Sequence, residues 1–306
     1  MLDALFFGAH PDDVELSSGG LASLLAFHGH AVGIADLTRG ERGTRGTVEE
    51  RGAEAAVAAR ELGVLWRGNL DLPDLGLARG DRAQQAALVA CLREHRPRLV
   101  VAPDPDDAHP DHVEASRLVA RACYLAGLAR FDADLPHTTR EPRAASREAR
   151  AATRDPRPAL GGCPAGARRV PGAHFAGAPR GPGGGPAEAH EVPGGGAADG
   201  PVRHRPERLL FALYRGAAPA HLVVDVSAVW EQRMRAVRSY ASQLDSAHGP
   251  ATYLTAPGFL EEIEARARAL GALIGARYGE GYRLRGPVPI TDARALLPAG
   301  LDGGAR

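Results

Sequence analysis

Apolar residues fall into two kinds of run along the first part of the chain, and the two kinds alternate. Short unbroken runs, Leu5-Phe6-Phe7-Gly8-Ala9 and Leu99-Val100-Val101-Ala102, read as strands buried on both faces. Between them lie stretches of helical spacing. One covers 18–28, with Leu21, Leu24 and Leu25 on its apolar side, and an alanine-rich one covers 48–62. The latter starts after Thr47, with Glu50 three positions on, which is the pattern of a capping box. A strand over 32–37, a polar glycine-rich loop over 38–46 and a short segment over 65–70 fill the gaps. A helix over 82–95 and another over 113–128 complete the series. Strands alternating with helices of this length predict βαβ units, hence a Rossmann-like α/β fold with a mainly parallel sheet flanked by helices.

The middle of the chain differs in kind. Over 138–203 it is dominated by Ala, Gly, Pro and Arg, Phe175 is its only aromatic residue, and neither periodicity survives. Such a composition buries too little apolar surface to offset the entropy of ordering, so a disordered insertion is expected there. Its histidines, His174 and His190, are expected to be solvated. The expected organisation is a single domain in two parts, 1–137 and 204–290, with a tail over 291–306. In the second part, strands over 209–214 and 222–226 are joined by a short Gly/Ala/Pro turn. Helices over 228–244 and 259–274 follow, before a polar stretch.

Composition narrows the classes of function. The formal net charge of the 306 residues is zero, so nothing in it argues for nucleic acid or an anionic membrane as partner. There is no lysine, which removes Schiff-base and P-loop lysine chemistry. The three cysteines, Cys91, Cys123 and Cys163, show no metal or disulfide spacing and suit a reducing compartment. No run reaches membrane-spanning length, and the N-terminus lacks a signal-peptide pattern. The expectation is a cytoplasmic protein with a small-molecule substrate.

The two apolar strands each end in histidine and aspartate. His10-Pro11-Asp12-Asp13 follows the first, and His109-Pro110-Asp111-His112 follows the second. Both clusters would emerge at the carboxyl edge of a parallel sheet, where open α/β folds bind ligands. Either alone reads equally well as a helix start, the second with Asp111 as its cap. Two at matching strand ends are hard to explain by capping. His10, Asp13 and His112 form a common catalytic zinc set, two imidazoles and a carboxylate with one position left open. Such a site would also accept iron, cobalt or manganese. Asp12 is placed to act as general base, and His109 to polarise a carbonyl or stabilise an oxyanion. Glu15 is either a further ligand or a supporting carboxylate. His28, His30 and His95 sit near helix ends, where a cation complements the dipole. The glycine-rich loop matches no nucleotide-binding fingerprint. Arg51, opening a helix near the same edge, is a candidate grip for a ligand's anion or hydroxyls.

The pair of motifs resembles the signature of the PIG-L/LmbE family of zinc-dependent N-acetylglucosamine deacetylases. Asp36-Leu37-Thr38-Arg39-Gly40-Glu41, Asn69-Leu70-Asp71-Leu72-Pro73-Asp74, Ser239-Tyr240-Ala241-Ser242-Gln243 and Tyr278-Gly279-Glu280-Gly281 resemble the branch acting on N-acetylglucosaminyl malate in bacillithiol synthesis. The resemblance implies zinc on His10, Asp13 and His112, with Asp12 as base. It further implies that His109 assists the oxyanion or leaving amine and that Asp111 orients it. Arg51 and Tyr214 fall where substrate contacts are expected, and homologues of this type tend to form homo-oligomers. The arginines of 39–45, with Arg51, would then neutralise the malate carboxylates. The sequence departs from the family's pattern in its long 138–203 stretch and at 218–221, where a bulkier segment is expected.

Overall fold

The computed structural model describes residues 1–131, 202–215 and 219–286. The tail over 291–306 and the stretch over 138–203, save its last two residues, lie outside them. The described residues build one open sheet with helices on both faces. Five strands are parallel neighbours: β3 (Trp66–Asn69), β2 (Val32–Asp36), β1 (Ala4–Gly8), β4 (Leu99–Pro103) and β5 (Arg208–Ala212), in that spatial order. The edge is completed by β7 (Gly279–Leu284) and then β6 (Leu222–Asp225), with β7 antiparallel to both β5 and β6.

Side chains of β1 alternate between two cores, as the pleat requires. Leu5 and Phe7 pack with Val100 and Ala102 of β4 under α4 (Arg82–His95) and α5 (Pro110–Leu125), which contribute Leu88, Leu92 and Leu118. Ala4 and Phe6 face the opposite way. They meet Leu21 of α2 (Gly19–Phe27), Ala58 and Leu62 of α3 (Val48–Leu62) and Ala236 of α6 (Trp230–Arg238). Each large side chain buried this way contributes about 1.5–3 kcal/mol. A third cluster joins Trp230 and Met234 of α6 to Phe259 and Ile263 of α8 (Phe259–Ala272). The predicted capping box of α3 is present, with Thr47 accepting from the Glu50 amide and Glu50 accepting from Thr47 N–H.

Several elements differ from the sequence expectation. The helix expected over 18–28 is preceded by a separate short one, α1 (Asp13–Ser17), and the two meet at Ser18. The helix expected over 228–244 is split into a 3₁₀ turn (Ser227–Val229), α6 and a short α7 (Ala241–Leu244), broken at the buried Tyr240. Residues 279–284, expected as polar chain beyond the last helix, are strand β7. It inserts between β5 and β6, so those two strands are not the adjacent pair that their short connection suggests. The reason is Glu280. From within β7 its carboxylate accepts the amides of Gly20 and Leu21 at 2.7 and 2.8 Å, satisfying the N-terminus of α2, and accepts the Tyr282 hydroxyl at 2.7 Å. A carboxylate inside a strand is thus buried for a through-space reason.

The order β3-β2-β1-β4-β5 sends the chain to opposite sides of β1 and β4. The crevice between the ends of these two strands is therefore the topological switch point of the sheet.

Candidate metal centre and acid–base site

Both histidine–aspartate clusters open onto that crevice. After β1 the chain turns sharply, with the Asp13 amide donating to the His10 carbonyl at 3.3 Å and the His10 amide donating to Asp13 Oδ2 at 2.8 Å. Gly8 permits the turn, because a Cβ there would sit 2.9 Å from the His10 carbonyl. Asp12 stands at φ 112°, ψ −25°, a region sparsely used by residues with a side chain. It occupies the N-cap position of α1, yet its side chain makes no capping hydrogen bond. The capping explanation of His-Pro-Asp-Asp thus fails on geometry. On the facing side the cap of α5 is His109 rather than Asp111. His109 Nδ1 accepts the Asp111 amide at 3.2 Å, and Pro110 takes the first helical position, where its missing N–H costs nothing.

Asp13 lies between two imidazoles. Its Oδ2 is 3.5 Å from His10 Nδ1 and its Oδ1 is 3.1 Å from His112 Nε2. The second nitrogen of each ring is directed at an outer carboxylate. His10 Nε2 lies 3.1 Å from Asp74 Oδ1 and 3.4 Å from Asp111 Oδ2, and His112 Nδ1 lies 3.2 Å from Asp107 Oδ1. Such backing fixes a ligand's tautomer and ring orientation in metal sites. Ring nitrogens of His10, His109 and His112 come within 4.8 Å of one another, and a second group, His10 with Asp74 and Asp111, converges as closely. A nitrogen-and-carboxylate donor set of this kind fits a divalent transition ion.

Electrostatics agree with a site built to hold positive charge. Burial would lower the pKa of His10, but hydrogen bonds with Asp111, Asp13 and Asp74 outweigh it and raise it to about 12. For His112, burial is likewise outweighed by the charge of Asp13 and the bond to Asp107, which bring it to about 10. Burial pushes the Asp12 carboxyl up to about 7, against the lowering effect of the Arg51 guanidinium. His109 is lowered, by burial and by the neighbouring His112.

These groups, Asp111 apart, line a pocket of about 300 Å³ together with Tyr214, Arg51, Arg42, Leu75, Arg215 and Leu254. Tyr214 is buried and its hydroxyl has no partner among the described residues. The structure therefore brings together His10, Asp12, Asp13, His109, Asp111, His112, Arg51 and Tyr214, but two of them are placed differently from expectation. Asp111 does not orient the His109 ring. Its carboxylate accepts the Leu75 amide at 2.7 Å and faces His10, and only its backbone reaches His109. The Arg51 guanidinium is engaged by the protein itself, donating to the carbonyls of Pro11 and Gly40. The expected cationic loop is also mostly committed. Arg39 pairs with Asp71 at 2.6 Å, and the buried Arg45 donates to the carbonyls of Ser242, Asp245 and Pro250. Arg42 remains, exposed at the pocket, its guanidinium without a hydrogen bond or ion pair among the described residues.

The sequence does not single out Asp107, and it offers Asp74 only as the end of a stretch that carries the resemblance, with no role assigned; both follow strand ends within runs dense in carboxylates. Glu15 proves to be no ligand. Fully buried, it accepts from Arg67 Nη1 at 2.5 Å, while Arg67 also grips Asp36 at 2.8 and 2.9 Å.

The chain is thus an open α/β protein with a metal-competent acid–base site at its switch point. Residues 5–123 match the PIG-L family, described as GlcNAc-PI de-N-acetylase. A 1D-myo-inositol 2-acetamido-2-deoxy-alpha-D-glucopyranoside deacetylase from Streptomyces griseus subsp. griseus is 32% identical over 167 residues, 44% of this chain and 52% of that protein. The chain spans about half the length of the curated relatives it matches. The crystal structure of a conserved protein from Thermus thermophilus is similar over 95% of this chain and 98% of its own, at 32% identity and a TM-score of 0.65. The chain belongs to the PIG-L family. The 4-carboxy-2-hydroxymuconate hydratase of Pseudomonas putida KT2440 shares the fold alone, at 17% identity, a TM-score of 0.62 and coverage of 95% and 99%. A fold shared with a hydratase leaves the reaction to be argued from the side chains. Among the described residues, no helix is long and apolar enough to cross a membrane.

Proposed function

We propose that the chain is a metal-dependent hydrolase that removes the acetyl group from N-acetylglucosaminyl conjugates. One observation carries this reading: a buried carboxylate, Asp12, stands beside a His10/Asp13/His112 donor set whose imidazoles are each backed by a further carboxylate. Zinc held by His10, Asp13 and His112 would supply the Lewis acidity that acidifies water and draws charge from the acetamide carbonyl. Asp12 takes the proton of the attacking water. His109, whose Nδ1 accepts a backbone amide, carries its proton on Nε2 when neutral and donates from there to the oxygen that gathers charge. The Tyr214 hydroxyl, without a hydrogen-bond partner among the described residues, is a further donor for the substrate.

Two observations bear on the aglycone, and they point in different directions. The Streptomyces relative is named for a neutral inositol conjugate. The pocket carries two arginines, Arg42 and Arg215, that make no ion pair among the described residues, with Arg215 lying over Tyr253. Cations that make no ion pair among the described residues suit, at a pocket mouth, the carboxylates of N-acetylglucosaminyl malate. Acetate release by the zinc-loaded chain from the malate conjugate, the inositol conjugate and diacetylchitobiose tests the proposal. Release from none of them, with metal bound, overturns it.

A further inference from the structure

We infer that Tyr253 is a positioning residue for specificity, acting on the aglycone through Arg215. The inference rests on the acidic aglycone proposed above. Tyr253 does not line the pocket, whereas Arg215 and its own neighbour Leu254 do. A long arginine side chain loses rotamer freedom when a ligand immobilises it, and a partner that orders it beforehand lowers that cost. Tyr253 is such a partner. The guanidinium carbon of Arg215 stands 3.4 Å from the centre of the Tyr253 ring, and 5.2 Å from that of Tyr214. Stacking engages the face of a guanidinium and leaves its N–H donors, which lie in its plane, for another group. Arg215 makes no hydrogen bond or ion pair among the described residues, and those donors suit a carboxylate held through two parallel bonds.

The ring is itself held firmly. Tyr253 sits in a tight turn over 252–255, closed by the Thr255 amide donating to the Thr252 carbonyl at 3.3 Å. The Thr255 hydroxyl donates to the same carbonyl at 3.1 Å and accepts the Thr252 amide at 2.9 Å. The Tyr253 hydroxyl donates to Glu262 in the first turn of α8, and that carboxylate pairs with Arg266 one turn on at 2.8 Å. Phe259, buried where α8 begins, meets the ring near a right angle with centroids 5.3 Å apart. Arg266 in turn lies 5.4 Å from the Tyr214 ring, so the stack is tied to the pocket wall. Tyr253 is nevertheless 42% exposed, which core packing alone does not explain. A ring anchored at its hydroxyl and its edge, with a face left for a cation, is accounted for by the arginine it carries.

The test is steady-state kinetics of Tyr253→Leu and Tyr253→Phe on the zinc-loaded chain, with the malate and inositol conjugates as substrates. Tyr253→Leu is expected to raise KM for the malate conjugate about fivefold, the equivalent of roughly 1 kcal/mol for a stacked guanidinium, with kcat within about twofold. KM for the neutral inositol conjugate should stay within about 1.5-fold, and Tyr253→Phe, which keeps the ring face, within about twofold of wild type on both. In an Arg215→Gln background Tyr253→Leu should have no further effect, because the ring acts only through the guanidinium. Equal shifts for the two conjugates, a loss confined to kcat, or full additivity with Arg215→Gln would overturn the inference. So would a crystal structure of Tyr253→Leu in which Arg215 keeps its place at the pocket mouth, an answer independent of turnover. Should Tyr253→Leu not fold, Tyr253→Gln also removes the ring and must give the same split between substrates. An inactive wild-type chain with metal bound would instead count against the proposed reaction, and turnover without preference by charge against its acidic aglycone. In either case the crystal structure decides the role of Tyr253.

Discussion

The carboxylate of Asp107 lies 3.2 Å from Nδ1 of His112, on the far side of the ring from Asp13. The same Asp107 oxygen accepts the His109 amide at 2.9 Å, so one side chain ties together both histidines of the second motif. Removing such a backing carboxylate typically weakens a metal site 10–100-fold. Asp107→Asn is expected to raise the zinc dissociation constant by about that factor, read by competition with a chelator of known affinity. An unchanged affinity would mean that His112 is not held as a ligand.

Asp12→Asn isolates the proton-accepting role. Asparagine is among the few residues that tolerate a left-handed backbone, so the variant keeps the turn while losing the base. The expected result is a fall in kcat of roughly 10²–10⁴ with zinc stoichiometry unchanged. Measuring turnover and metal content on the same preparation decides it, since a variant that loses metal in proportion to activity would place Asp12 on the ion instead.

Charge selection at the pocket mouth is separable from chemistry. If Arg42 and Arg215 recognise an acidic aglycone, Arg42→Gln and Arg215→Gln should each raise KM for the malate conjugate about tenfold, equivalent to roughly 1.4 kcal/mol. KM for the inositol conjugate should stay level. Both arginines are exposed, so the preference should weaken as salt is raised through the physiological range. Equal effects on the two conjugates would remove the argument for malate.

The parts legible in the sequence share a physical trait. β1 and β4 are buried on both faces, so they show as unbroken apolar runs, and the residues that follow them inherit a known place at the sheet edge. That suffices to bring His10, Asp12, Asp13, His109 and His112 into one pocket. Strand β7 is not legible, because Gly-Glu-Gly-Tyr-Arg-Leu carries a carboxylate that is buried only by virtue of a helix N-terminus some 260 residues away. The partner of Arg51 is illegible for a similar reason. An arginine beside a site reads as a ligand contact, whereas the carbonyl it serves belongs to a backbone conformation that no pattern of side chains announces.

The buried ion network under α1 yields a prediction about stability. Arg67 lies between Glu15, 2.5 Å from Nη1, and Asp36, whose two oxygens sit 2.8 and 2.9 Å from Nε and Nη2. Tyr240 adds its hydroxyl to Glu15 at 3.3 Å. Glu15 and Asp36 are both almost wholly buried, so Arg67→Met leaves two carboxylates without a countercharge. Breaking a buried pair from one side costs about 3–5 kcal/mol, whereas replacing all the charges by apolar groups of similar volume is often neutral. The single variant should therefore lose about that much unfolding free energy, read from its denaturant midpoint. The triple variant Glu15→Leu, Asp36→Leu, Arg67→Met should recover much of the loss. Because α1 begins at Asp13, loosening it should also weaken zinc binding in the single variant. Equal stability of Arg67→Met and wild type would show that the network carries no net charge burden and that the α1 motif is held by packing alone.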